Sequence, residues 1–255
     1  MVTASGAGAG HGVEAVRVSV DGPVATLTID NPGKRNAMTA AMWRAVPVLL
    51  KDLEADPAVK VLVVEGAGGT FCAGADIDDA AAIAADGEDS VAVQAELALA
   101  AFPKPTIARI DGFCVGGGCQ LAVACDLRFA ATDSRFGITP AKLGIVYPRS
   151  TTRRLADLVG PSRAKLLLFT ADLIDAPAAL AIGLVDTVVA PDALAASVRD
   201  TAATITTRSQ LSVRAAKAFI DGREGPTRQD PAEVAEGLAA FRDRRPPTWP
   251  SDYPT

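Results

Sequence analysis

An α/β fold with crossover connections and much parallel strand pairing is what this sequence predicts, and three observations predict it. The segment VRVSVDGPVATLTID alternates apolar and polar residues on both sides of Asp21-Gly22, the pattern of a β-hairpin closed by a tight turn. A strand, loop, helix, strand rhythm follows, the signature of crossovers between parallel strands. From Thr151 onward the chain reads as mainly helical, broken by the strand-like GLVDTVVAP. With 255 residues, 49% of them hydrophobic and 22% charged, the chain suits one large globular domain or a domain with a small appendage, and a sizeable core is available.

The elements follow in order. After the hairpin, NPGKRNAMTAAMWRAVPVLLKDLEAD opens with turn residues, offers Thr39 as the N-cap of a helix and carries Pro47 as a kink inside it. VKVLVVEG reads as a buried strand. The loop AGGTFCAGADIDD, rich in small residues, leads into alanine-rich helical material from about Ile77 to Phe102. KPTIARIDG gives another strand after a proline-punctuated turn. GFCVGGGCQLAVACD then places a glycine run directly before an apolar helix. No internal repeat or long linker interrupts the chain, and the Gly/Ala/Ser-rich N terminus reads as a frayed tail.

Composition excludes several functions. Only 5% of residues are aromatic and the formal net charge is −5, so neither stacked aromatics nor a basic face is available for nucleic acid. No apolar run is long enough to cross a bilayer and the N terminus lacks a signal-peptide pattern, so the expected location is cytoplasmic. The cysteines, Cys72, Cys114, Cys119 and Cys125, lack the paired spacing of a zinc site and read as buried free thiols. The single histidine, His11, lies in the tail, which argues against a Ser-His-Asp triad, a Cys-His pair or a histidine-rich metal centre.

The glycine run has two readings. One is a tight strand-to-helix turn with close packing; the other is a site where a ligand approaches the unpaired N–H groups at a helix start. The phosphate motifs G-x-G-x-x-G and G-x-x-x-x-G-K-[ST] are both absent. A second small-residue loop, FCAGADI, also follows a strand, and two such loops converging on one point would make an oxyanion hole.

Taken together, NPGKRNAM, FCAGADI, PTIARIDGFCVGGGCQLAVACDLRFA and FGITPAKLG resemble, in order and nearly in residue, the enoyl-CoA hydratase/isomerase (crotonase) superfamily, over about Val16 to Pro247. The resemblance implies a spiral of repeated ββα units and a helical C-terminal region that makes trimers, often paired into hexamers. It divides the chain into a disordered tail at 1–12, a spiral core at 13–195 and a helical oligomerisation region at 196–255. Acyl-CoA is then the substrate, with no separate cofactor, and its thioester oxygen takes hydrogen bonds from the backbone amides of Ala75 and Gly117. The resemblance also brings Lys34 and Arg35 to the pantetheine or phosphate entrance and the backbone around Ala73, Asp76 and Ile77 to the adenine, with Arg242, Arg244 and Arg245 as a further phosphate contact from a neighbouring subunit. By themselves, these charges would pass as ordinary loop and helix-end residues.

Two departures from the family pattern bear on the reaction. Where hydrating members resemble this chain with glutamates, it carries Gln120 and, in the register of Phe136, Gly137, Leu143 and Gly144, Pro140. A carboxamide does not titrate and proline offers no side-chain donor or acceptor, whereas adding water to a double bond needs proton transfer at both ends. Loss of CO2 from a malonyl-type thioester forms the same enolate without a base. ITPAKLGIVY moreover resembles the loop of methylmalonyl-CoA decarboxylases, whose tyrosine at the position of Tyr147 contacts the substrate carboxylate; those enzymes carry a histidine where this chain has Ala75. The expectation is a decarboxylase-like lyase using Ala75, Gly117, Gln120 and Tyr147. A hydratase or isomerase with atypical residues, the isomerase drawing on a carboxylate from elsewhere such as the helical segment near Glu96, and a non-catalytic acyl-CoA binder are the alternatives. Asp76, Asp78 and Asp79 read first as charges on the first turn of a helix, Asp126 as a structural helix end, and Arg149, Arg153 and Arg154 as a solvated helical face.

Overall fold

The protein is described by a computed structural model over residues 3–5, 15–79, 82–83 and 87–249. Strands β2 (Ala15–Asp21) and β3 (Val24–Asp30) form the expected antiparallel hairpin; Asp21 pairs with Val24, so the turn falls at Gly22-Pro23, one residue later than the sequence suggested. The parallel sheet grows from β3 through β4 (Val61–Gly66), β5 (Thr106–Ile110), β7 (Leu127–Ala131) and β10 (Thr187–Val189). Strand β1 (Thr3–Ser5) extends its other edge by pairing with β2, so part of the expected disordered tail is a strand. His11 and the rest of that tail lie outside the described residues.

A second, smaller layer crosses the chain at its turns. It contains β6 (Phe113–Val115), β8 (Arg135–Gly137) and β9 (Ile174–Asp175), and is continued by single bridges between Cys72 and Cys114 and between Met38 and Ala75. Each circuit thus passes from the large sheet to the small layer and on to a helix. The circuits are filled in turn by α1 (Ala40–Ala55), by α2 (Val91–Ala101), by α3 (Gly117–Ala124) after β5 and β6, and by α4 (Arg149–Val159) after β7 and β8. The chain shows the α/β spiral of ββα units that the resemblance implied. The repeat is one of topology; a repeat of residues is absent from the sequence.

The helix signals hold locally. Thr39 caps α1, its hydroxyl accepting from the Met42 amide at 3.4 Å, and Pro47 sits inside the helix. Ser90 caps α2 in the same way through Val93. Lys104, fully buried, donates to the carbonyls of Leu53 at 2.7 Å and Asp56 at 2.6 Å and so closes the end of α1.

The sheet is covered on both faces, which explains why β4 is apolar along nearly its whole length. Leu62 and Val64 join the main core between the sheet and helices α1 to α4, while Val61 and Val63 pack with Leu194, Val198 and Ala202 of α7 (Pro191–Thr206). Before it come α5 (Pro161–Thr170) and α6 (Ala176–Ala181); α8 (Gln210–Ile220) and α9 (Pro231–Asp243) follow. The expected boundary between 195 and 196 therefore needs correction: it falls inside α7, a helix that belongs to the core because it seals the second face of the sheet. Among the described residues, no helix is long and apolar enough to cross a membrane.

Candidate active site

The glycine run solves a steric problem before it serves a chemical one. Gly116 precedes α3 with φ +56° and ψ −127°, a conformation that side-chain-bearing residues rarely adopt. A Cβ on Gly118 would lie 2.4 Å from the Cys72 carbonyl oxygen, so only glycine lets the helix seat against that segment. The first turn of α3 is thereby pressed against the FCAGADI loop.

That contact brings together two amides distant in sequence. At the Met38 bridge, the Met38 amide donates to the Gly74 oxygen at 2.8 Å and the Asp76 amide to the Met38 oxygen at 2.9 Å. In such parallel pairing the intervening residue's own N–H points to the opposite side, and that residue is Ala75. Gly117 is the first residue of α3, where an amide has no carbonyl within the helix. Neither amide donates to a backbone carbonyl among the described residues. A Cβ built on Gly117 would lie 3.9 Å from the Ala75 nitrogen, and one on Gly74 would lie 3.5 Å from the Gly117 nitrogen.

The two amides border a cavity of about 270 Å³. Its walls are mostly apolar: Trp43, Ile77, Ile83, Val93, Pro140, Leu143 and Ile145 contribute, together with Ala73, Gly74, Gly116 and Pro148. The polar side chains in the lining are Ser90, Glu96, Thr139, Tyr147 and Thr151. No lysine or arginine lines it among the described residues. Tyr147 enters from the loop before α4, and its hydroxyl stands 3.6 Å from where a Cβ on Gly116 would be. Burial holds its phenol above the ordinary value, so it remains a protonated donor at neutral pH.

Of the sequence-predicted residues, Ala73, Ala75, Ile77, Gly117, Pro140 and Tyr147 meet at this cavity. Others do not. Gln120 is buried at 1% exposure but is absent from the lining, and both its Oε1 and its Nε2 lack a hydrogen-bond partner. The helix that presents Gly117 to the cavity does not bring Gln120 to its wall. Lys34 binds Asp76 and Asp78, each at 2.7 Å, and these carboxylates hold its ammonium well above the ordinary lysine range. It is neutralised rather than free for phosphate. Asp76, itself buried, is absent from the lining. Arg35 is exposed, its guanidinium 5.0 Å from the centre of the Phe113 ring, and is likewise absent from the lining.

The acidic and basic neighbours also move from their expected places. Asp78 faces Lys34, and Asp79 caps α1 instead of its own segment, accepting from the Ala40 amide at 2.8 Å. Asp126 is structural as read: it accepts from the Thr106 amide and hydroxyl, at 2.7 and 3.0 Å, and from Lys217 at 2.7 Å. Arg245 is engaged by Glu236 at 2.6 Å. Arg153 is exposed and pairs with Asp157 at 2.9 Å, whereas Arg154 turns inward toward Glu96, at 3.7 Å. All four cysteines are buried free thiols, and burial raises Cys72 and Cys125 to about 12, which keeps them unreactive.

Among the described residues, Glu96 is the one carboxyl in the lining, with only 3% of its surface exposed. The Thr151 hydroxyl donates to its Oε2 at 2.9 Å. Burial raises its pKa to about 7, against the opposing pull of Thr151 and Arg154. The sequence carries a signal for it, since Glu96 is the only charged residue in VAVQAELALAA. Trp43 and Thr151 were not identifiable in advance. Trp43 is fully buried with an unpartnered Nε1, beside Gly117, and its role in the lining depends on the path of α1.

Comparison with known proteins agrees with this architecture. The family described as Enoyl-CoA hydratase/isomerase matches residues 20–235. A crotonyl-CoA hydratase of Syntrophomonas wolfei is 38% identical over 199 residues, 76% of each chain. A probable enoyl-CoA hydratase of Mycobacterium leprae is 32% identical over 249 residues, 91% of this chain and 97% of that protein. Among solved structures, a putative enoyl-CoA hydratase/isomerase family protein from Hyphomonas neptunium superposes with a TM-score of 0.83 at 38% identity, covering 92% of this chain and 97% of the other.

Proposed function

The chain belongs to the enoyl-CoA hydratase/isomerase family, and from that premise we propose that it is a lyase that removes CO2 from a malonyl-type acyl-CoA. The carrying observation is the pairing of two unengaged amides, Ala75 and Gly117, at an apolar cavity whose walls receive no carboxyl group from positions 120 and 140. The amides hydrogen-bond the thioester oxygen as it gains charge. The bond between the α-carbon and the carboxylate breaks, CO2 leaves, and the electron pair passes into the thioester as an enolate; the α-carbon then takes a proton. Pre-aimed donors of this kind contribute about 3 kcal/mol each to such a transition state.

The absence of lysine and arginine from the described lining supports this reading, because no ion pair holds the departing carboxylate in its charged ground state. Tyr147 supplies a neutral donor to that carboxylate. Gln120 takes no direct part. CoA enters as substrate, with no cofactor, along Ala73, Ile77 and the backbone of Asp76, and Arg35 is the cation left near the entrance. The enzyme works as a cytoplasmic trimer or hexamer assembled through the region after the spiral core.

Hydration or isomerisation is the second reading, favoured by the names of the relatives and by the presence of Glu96 in the lining. Incubation with malonyl-, methylmalonyl-, ethylmalonyl- and crotonyl-CoA, followed by mass spectrometry, separates the two. Loss of CO2 from a malonyl-type ester with crotonyl-CoA unchanged is the expected result. Water addition to crotonyl-CoA without CO2 release overturns the lyase reading, and tight binding without any turnover identifies an acyl-CoA binder.

A further inference from the structure

We propose that Glu96 is the proton carrier of this site, exchanging a proton with the carbon next to the thioester and so filling the acid–base role that Gln120 and Pro140 leave open. The inference rests on the reading of Ala75 and Gly117 as the holders of an enolate.

Geometry carries it first. Glu96 projects from α2 into the cavity that the two amides border. Both of its recorded contacts, the Thr151 hydroxyl at 2.9 Å and the Arg154 guanidinium at 3.7 Å, fall on Oε2. Oε1 has no protein partner among the described residues. One oxygen is therefore anchored and the other is available to a ligand. Thr151 is itself buried, at 2% exposure, so the anchor is shielded from competing water.

The surroundings place its titration in a useful range. Burial is the largest influence and raises Glu96 to about 7; Thr151 and Arg154 pull it down and Glu88 pushes it up. Among the described residues, the titratable and charged groups facing it are Arg154 on α4, the Tyr147 phenol just before that helix, and Glu88 in the turn before α2. The α1 and α3 helices present only Trp43 and Gly117 to the cavity. A carboxyl that titrates close to neutrality can donate and accept a proton with little bias.

The step balances with water alone. Neutral Glu96 stands beside a malonyl-type carboxylate without like-charge repulsion. As CO2 departs, the enolate α-carbon takes the Glu96 proton, the electron pair of the enolate forming the new C–H bond. The resulting carboxylate is held by Thr151 and Arg154 until water returns the proton. In an isomerisation the same oxygen would remove the α-proton and return it to the γ-carbon, with no net change.

The test is Glu96→Gln in the full-length protein, with acetoacetyl-CoA binding used to show that the cavity and its amides are intact. In wild type, turnover of the malonyl-type substrate falls as pH rises through about 7, because the acid form is required. In the variant, turnover drops by roughly 10²-fold or more and this limb disappears. Wild-type rate with an unchanged pH profile overturns the proposal. Should wild type release no CO2 from any ester, the lyase reading fails separately, and Glu96 is judged on deuterium uptake at the α-carbon of butyryl-CoA in D2O. Uptake in wild type but not in the variant supports the proposal, and equal uptake in both, or none in either, overturns it. Thr151→Val separates positioning from chemistry: it should shift the pH limb upward, since it removes a bond that favours the charged form, without abolishing turnover.

Discussion

Tyr147 acts through a single hydroxyl, and its effect can be isolated from packing. The phenol ring packs against the core and its oxygen faces Gly116 at the cavity wall. Tyr147→Phe keeps the ring, so melting temperature should stay nearly constant. A hydrogen bond to a charged group contributes about 1.5–3 kcal/mol, which predicts a fall of roughly 10- to 100-fold in kcat/KM on the malonyl-type ester. Unchanged turnover would remove Tyr147 from the site. Glu96 makes the opposite kind of statement, one about stability. Its folded-state value of about 7 exceeds the 4.5 of a free glutamate, so the folded protein loses stability as pH rises from 4.5 toward 7, where the unfolded chain ionises and the folded chain does not. Glu96→Gln should therefore stabilise the protein at pH 8 by up to about 3 kcal/mol and give little change at pH 4, measured by urea unfolding. A stabilised variant with impaired turnover is the pattern of a functional group kept at a cost to the fold.

At the scale of elements, α3 has to lie close to the Cys72–Ala75 segment for its first amide to meet that of Ala75. Gly118 sets this separation. A methyl group there would stand 2.4 Å from the Cys72 oxygen and 2.8 Å from its sulfur, and the helix would have to shift. Gly118→Ala should destabilise by about 1–3 kcal/mol, read by denaturant titration. It should also weaken acetoacetyl-CoA binding, because the amide of Gly117 moves with the helix. Loss of stability with intact binding would mean that the amide position does not depend on this contact. The neighbouring elements were legible in sequence to different degrees. The hairpin, the Thr39 cap and the buried strand β4 follow from local periodicity and capping chemistry. The two-residue strand β9 carries no periodicity at all and forms by pairing with β8.

For the whole molecule, several large apolar side chains of the helices are left exposed. Ile220 is 84% and Phe241 85% exposed, on α8 and α9, with Phe169 at 75% on α5. Large uncovered side chains such as these suit an interface where they adjoin. Light scattering should give the mass of three or six chains, and Ile220→Glu with Phe241→Glu should lower it; a wild-type mass of one chain would refute the assembly.

What the sequence determined alone was local in kind: where strands and helices begin, which loops are built of small residues, and which titrating groups are absent from the positions of Gln120 and Pro140. Those features depend on neighbours a few residues away, so periodicity and composition record them. Tertiary structure decided the rest. It set the Ala75 amide beside that of Gly117, turned Glu96 into the cavity, kept Gln120 out of the lining and joined Lys34 to Asp76 and Asp78. Each of these depends on how helices and layers stack between residues far apart in the chain, and no local pattern encodes that distance.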